Sequence, residues 1–209
     1  MTKSLPAAEA LERLKSGNAR FVAGTATMNP SLTDEQRINL IEQQAPVAIV
    51  LGCSDARVPV EIVFDQGFGD LFVIRVAGNV VASSQIGSVE FAVEQFGINL
   101  VVVLGHTYCG AIRATLAQLR SPDTNTSRGL RSIVDRVRPA VQGLMATNLR
   151  DDDEALLLEA VRANVRASTN VLRHGSELLE RMLDVGELMV VGAEYSLDDG
   201  IVDFFDGAS

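Results

Sequence analysis

The chain has two cysteines and two histidines among its 209 residues, and three of these four fall in two short loops of similar make-up. The first, residues 52–57, reads Gly-Cys-Ser-Asp-Ala-Arg, and the second, residues 105–110, reads Gly-His-Thr-Tyr-Cys-Gly. Two thiolates and an imidazole are good ligands for Zn²⁺, and three protein ligands leave a fourth position for water, the pattern of a catalytic rather than a structural zinc. The first expectation is therefore one zinc ion held by Cys53, His106 and Cys109. Zinc lowers the pKa of the water it holds from about 15.7 to about 7. Asp55 lies two residues from Cys53, near enough to accept a hydrogen bond from that site, and Arg57 can keep Asp55 ionised and oriented in a bidentate pair. The competing readings are a Cys53–Cys109 disulfide, two free structural cysteines, and an Asp55–Arg57 pair that is only a surface ion pair.

For the loops to meet, each must be delivered by a strand. Residues 47–51 and 100–104 are short, uniformly apolar runs rich in β-branched residues, as expected of strands buried on both faces of a parallel sheet. In open parallel sheets, sites form beyond the carboxyl ends of strands, where both loops lie. The glycines at 52, 105 and 110 are expected to let the backbone turn around the ion. Residues 71–76 and 187–194 read as two more strands. The Asp198-Asp199-Gly200 turn sends residues 201–205 back as an antiparallel edge strand.

Helices are expected between the strands. Ser4 and Pro6 start one that ends at Gly24 and buries Ala10, Leu11, Leu14, Phe21 and Val22. Thr33 to Gln36 has the spacing of a capping box, opening a short helix that Pro46 stops. Others follow at Pro59, over 84–96 with Gly97 as C-cap, over 110–119, 130–146 and 153–174, and from Ser176 to Leu183. Residues 121–127 read as loop. Asp151, Asp152, Asp153 and Glu154 read as a solvated cap at a helix N-terminus, where negative charge suits the dipole. Alternating strands and helices predict an α/β fold: about four parallel strands plus an antiparallel edge strand, flanked by helices. The whole chain, 1–209, is expected to be one domain: an N-terminal helical arm (1–45), a zinc-site core (46–119), a helical block (120–185) and a closing strand hairpin (186–209).

Composition narrows the partners. A net charge of −9 disfavours nucleic acid and anionic membranes, and tryptophan is absent. No apolar run approaches the roughly 20 residues needed to span a bilayer. The N-terminus lacks the apolar core of a signal peptide, so a cytoplasmic location with reduced cysteines is expected.

Taken together, Cys-Ser-Asp-x-Arg at 53–57 and Gly-His-x-x-Cys-Gly at 105–110 resemble the two motifs of the β-class carbonic anhydrases. Residues 17–22, 75–79, 87–92 and 191–195, with Asp199-Gly200, are similar to further segments of that family, so the resemblance covers essentially the whole chain. It implies zinc-dependent, reversible hydration of CO2 to bicarbonate, with Cys53, His106 and Cys109 as ligands and Asp55 and Arg57 as the catalytic dyad. It places Gln44 on the substrate and Phe72 and Phe91 in the pocket lining. It implies a homodimer or a dimer of dimers, with pockets at the interface, and a closed state in which Asp55 becomes the fourth zinc ligand. Arg75 and Tyr195 match two residues of an inhibitory bicarbonate site whose tryptophan is Val50 here. Tyr108 departs from the family pattern: it either re-lines the pocket mouth or packs outward. The rivals are a hydrolase of carbonyl sulfide or carbon disulfide on the same fold, and a non-catalytic zinc sensor or scaffold. His174, the remaining histidine, is not expected near the site.

Overall fold

A computed structural model describes residues 5–28, 31–42, 44–122 and 126–208. Five strands form one sheet in the order β2-β1-β3-β4-β5, where β1 is Ala48–Gly52, β2 Leu71–Arg75, β3 Leu100–His106, β4 Met189–Tyr195 and β5 Val202–Asp206. The first four are parallel and β5 is antiparallel to β4, as the sequence predicts. Every residue of β1 and β3 is buried, which explains why both runs are apolar without alternation.

The alternation is instead between two cores. Val50, Val102, Leu104 and Val191 face one layer with Ala10, Leu11 and Leu14 of α1 (Ala7–Val22). Ile49, Leu51, Val101, Val103 and Val190 face the other, with Val89 and Val93 of α4 (Ser83–Phe96) and Val165 and Leu172 of α7 (Asp153–His174). Period-two burial on a sheet covered on both sides fixes the register, because a one-residue slip would exchange the two cores.

The remaining helices are α2 (Asp34–Glu42), α3 (Val60–Val63), α5 (Gly110–Arg120), α6 (Arg128–Val141) and α8 (Glu177–Asp184). Three of the predicted caps form, while Ser4, read as the start of α1, lies outside the described residues. Thr33 Oγ1 accepts from Gln36 N while Gln36 Oε1 accepts from Thr33 N, closing a reciprocal box at α2. Gly97 takes the left-handed conformation after α4, at φ 65°. Asp152 accepts from the N–H groups of Glu154 and Ala155, so the acidic run is a helix cap. Residues 130–146 are not one helix: α6 ends at Val141 and a 3-10 turn, Gln142–Ala146, follows. Residues 123–125 of the expected 121–127 loop lie outside the described residues.

The N-terminal arm divides in two. Helix α1 belongs to its own sheet: a β-carbon on Gly17 would lie 1.8 Å from the Phe64 carbonyl oxygen, so only glycine permits this approach. Buried Asn18 donates to the Val63 and Gly200 carbonyls and accepts from Val202 N. Helix α2 has no buried residue, and its Ile38 and Ile41 are 57% and 79% exposed.

Candidate metal centre

Strands β1 and β3 are hydrogen-bonded neighbours, with Gly52 opposite Leu104. Their carboxyl ends therefore deliver Cys53 and the 106–109 loop to the same place. The ligand atoms of Cys53, His106 and Cys109 all lie within 4.8 Å of one another and all three residues are buried. Tetrahedral zinc with Zn–S near 2.3 Å and Zn–N near 2.0 Å wants separations of about 3.6–3.8 Å; a small inward adjustment suffices.

The protonation pattern fits a cation. His106 Nδ1 lies 2.9 Å from the Thr107 carbonyl oxygen, which can only accept, so the proton is on Nδ1. That leaves Nε2 with a bare lone pair, buried and with no hydrogen-bond partner. An orphaned buried acceptor aimed at two cysteines is costly without an ion and natural with one. The cysteines are free. The hydrogen bond from Cys109, opposed by burial, pulls the Cys53 thiol down, and the Gly78 N–H adds to this. Cys109, pressed by the Cys53 sulfur and by burial, is pushed up. To hold a cation both cysteines would give up their protons.

Asp55 stands beside this cluster, its Oδ2 3.8 Å from His106 Nε2. Arg57 grips it in a fork: Nε donates to Oδ1 at 2.9 Å and Nη2 to Oδ2 at 2.8 Å. The guanidinium holds the carboxyl well below the usual range, although partial burial opposes it, so Asp55 is an acceptor at any physiological pH.

Several supporting residues are not evident from the sequence. Gly78, at φ 70°, points its N–H at Cys53 Sγ at 3.3 Å. Asn164 of α7 donates to the Gly78 carbonyl at 2.8 Å, and Ser168 donates to the Asn79 carbonyl at 3.0 Å. The one available signal is polar residues four apart on the buried face of an otherwise apolar helix stripe. Arg75 donates to the Cys53 and Asp55 carbonyls, so its guanidinium braces the first ligand loop. The glycine expectation is corrected. Gly52, Gly105 and Gly110 do not take positive φ; the left-handed residues around the cluster are Gly78, Asn79 and Tyr108, and the second loop turns through Tyr108 itself.

Gln44, Phe72 and Phe91 are not near the cluster in their own chain. Gln44 precedes β1 and packs beside Gly69, at the opposite end of the strand from Cys53. Phe72 stacks with Phe91 and Phe96 at centroid distances of 6.3 and 6.0 Å along the β2 edge. His174 closes α7 at the end away from the cluster and pairs with Glu180. Tyr108 points outward to Asp198. A cleft of about 430 Å³ lies between α5 and the start of α7, with Tyr108 on one wall. It does not contain the three ligand residues.

Residues 48–202 match the carbonic anhydrase family. The chain belongs to the β-class carbonic anhydrases. It is 42% identical over 203 residues to carbonic anhydrase of Mycolicibacterium smegmatis, covering 97% of this chain and 95% of that one. It is 40% identical over 191 residues to carbonic anhydrase 2 of Mycobacterium tuberculosis, covering 91% and 89%. Among solved structures it is similar to the β-carbonic anhydrase CcaA, with a TM-score of 0.73, 26% identity and coverage of 95% and 92%. Like the rest of the β-class fold, the chain has a mostly parallel sheet with an antiparallel edge. Among its described residues no helix is long and apolar enough to cross a membrane.

Proposed function

We propose that this β-class carbonic anhydrase hydrates CO2 reversibly to bicarbonate and a proton, using zinc held by Cys53, His106 and Cys109. The observation that carries the reading is the bare, buried Nε2 of His106 converging with two thiols beside an arginine-clamped carboxylate. Zinc in that position supplies the acidity that makes hydroxide available near neutral pH. Asp55, an obligate acceptor, accepts a hydrogen bond from the attacking oxygen and so aims its lone pair at carbon. Arg57 holds Asp55 in that direction and keeps its proton off. A structural zinc would have no use for this pair, which argues against a scaffold. The names of the relatives at 40% and 42% identity favour CO2 over carbonyl sulfide.

Gln44, Phe72 and Phe91 serve substrate in a second copy of the chain, in a homodimer or dimer of dimers. Support comes from what one protomer leaves open. Helix α2 buries nothing, the β2 edge is only half-buried, and Phe91 is 52% exposed. Unpaired edges and apolar faces of this kind are ordinarily covered. Two buried, reduced cysteines fit a cytoplasmic location. Stopped-flow CO2 hydration on protein of measured zinc content is the test. Cys53→Ala is expected to lose zinc and hydration together, and a variant that keeps both refutes the ligand assignment.

A further inference from the structure

The loop between His106 and Cys109 is not held by the metal ligands alone. Tyr108 sits at φ 59°, a conformation that a bulky residue rarely adopts and that persists only when the surroundings impose it. The surroundings here are the turn between β4 and β5. Thr107 N donates to the Tyr195 carbonyl at 3.0 Å. Leu197 N donates to Thr107 Oγ1 at 2.9 Å, and the Tyr108 hydroxyl donates to Asp198 Oδ1 at 2.9 Å. On its other side the Tyr108 carbonyl accepts a long bond, 3.5 Å, from Nη2 of Arg57, the nitrogen that also holds Asp55 Oδ2. One residue thus joins three things: the strained turn between two ligands, the hairpin turn ninety positions later, and the guanidinium that grips Asp55.

We propose that Tyr108 is a positioning residue, and that its hydroxyl bond to Asp198 is a strut fixing both the ligand loop and the Arg57–Asp55 pair. The proposal rests on the metal and dyad assignments above. The strut acts through geometry: the bond prevents Tyr108 from relaxing to negative φ, which would swing its carbonyl away from Arg57 and shift Cys109 relative to His106. A glycine here would take the turn without strain but could not reach Asp198. Tyrosine therefore accepts strain at this position in exchange for an anchor outside the loop.

The test uses the zinc-loaded protein and four variants: Y108F, D198A, D198N and the double variant Y108F/D198A. All four changes are at exposed side chains. Three readouts are compared: zinc transfer to a chromophoric chelator, the visible spectrum of the cobalt-substituted protein, and kcat and KM for CO2 hydration. Loss of one such hydrogen bond is expected to speed zinc transfer and lower kcat on the order of fivefold, with KM unchanged and the cobalt bands shifted. The double variant should match either single, because both remove the same bond. D198N keeps an acceptor oxygen and should recover most of the effect. If both single variants behave as the parent, or if their effects multiply in the double while all proteins retain zinc, the strut is refuted. A parent that binds no stoichiometric zinc overturns the metal assignment and the strut with it.

Discussion

Asn164→Ala isolates how far support for the metal extends beyond its ligands. Asn164 is 2% exposed and gives its amide to the Gly78 carbonyl at 2.8 Å. Gly78 in turn gives its N–H to Cys53 Sγ at 3.3 Å. Truncation leaves a buried carbonyl without a partner, at a cost of about 2 kcal/mol. In a chain of this length that corresponds to a fall of about 4–8 °C in Tm. If that were all, the loss would be the same with and without zinc. The link to Cys53 predicts more, because groups that orient a ligand are worth roughly 10–100-fold in metal affinity. Even a tenfold loss removes a further ~1.4 kcal/mol of zinc-linked stability at saturation. The holoprotein should therefore lose about 3.4 kcal/mol against about 2 for the apoprotein, two differences that calorimetry separates. Ser168→Ala is the control. It removes a bond to the next carbonyl, of Asn79, at 3.0 Å, and should lower both Tm values equally. Equal losses with and without zinc in Asn164→Ala, together with unchanged zinc release to a chelator, would show that Asn164 only packs the helix.

Three other perturbations have definite expected outcomes. Arg57→Ala should leave zinc content intact and lower kcat by about 100-fold, since it frees the orientation of Asp55; zinc analysis beside stopped-flow kinetics would expose any effect that was merely loss of metal. Gly17→Ala places a β-carbon 1.8 Å from the Phe64 oxygen, so α1 must lift, and more than about 3 kcal/mol of stability should go in chemical denaturation. Arg20→Ala tests acid stability. Burial raises the pKa of Asp65, but the Arg20 pair and N–H bonds from Met28 and Thr27 outweigh it, and the folded pKa is lowered. Its contribution is therefore fully present above about pH 5 and is lost as pH falls through the folded value. Without Arg20 the acid unfolding midpoint, followed by circular dichroism, should move up, and an unmoved midpoint would assign that stability to other groups.

What could be read from the sequence was what depends on neighbours along the chain. The Thr33–Gln36 box, the Gly97 cap and the doubly buried strands read at 47–51 and 100–104 each follow from local spacing, and two similar loops after two such strands pointed to Cys53, His106, Cys109, Asp55 and Arg57, which the fold brings together. What could not be read depends on approaches across the fold. Glycines flanking the ligands suggested tight turns, yet Gly105 sits in a strand where a β-carbon would meet Val165 at 2.6 Å; its absent side chain makes room for α7. The thiolate's N–H donor comes from Gly78, placed by a helix eighty-six residues away from it. Tyr108 had two plausible directions, and only Asp198 decides between them.

The bonds between the 106–109 loop and residues 195–198, and those from Asn18 to Gly200 and Val202, set an order of events during synthesis. Cys53, His106 and Cys109 have all left the ribosome's peptidyl centre by residue 109, but the turn that contacts their loop is made about ninety residues later. At about 5–20 residues per second, the nascent chain carries an unbraced pair of thiols for roughly 5–20 seconds. A cluster made early and clamped late is open to adventitious metals and oxidants for that interval. It acquires its final shape only when residues 195–202 close against both β3 and α1.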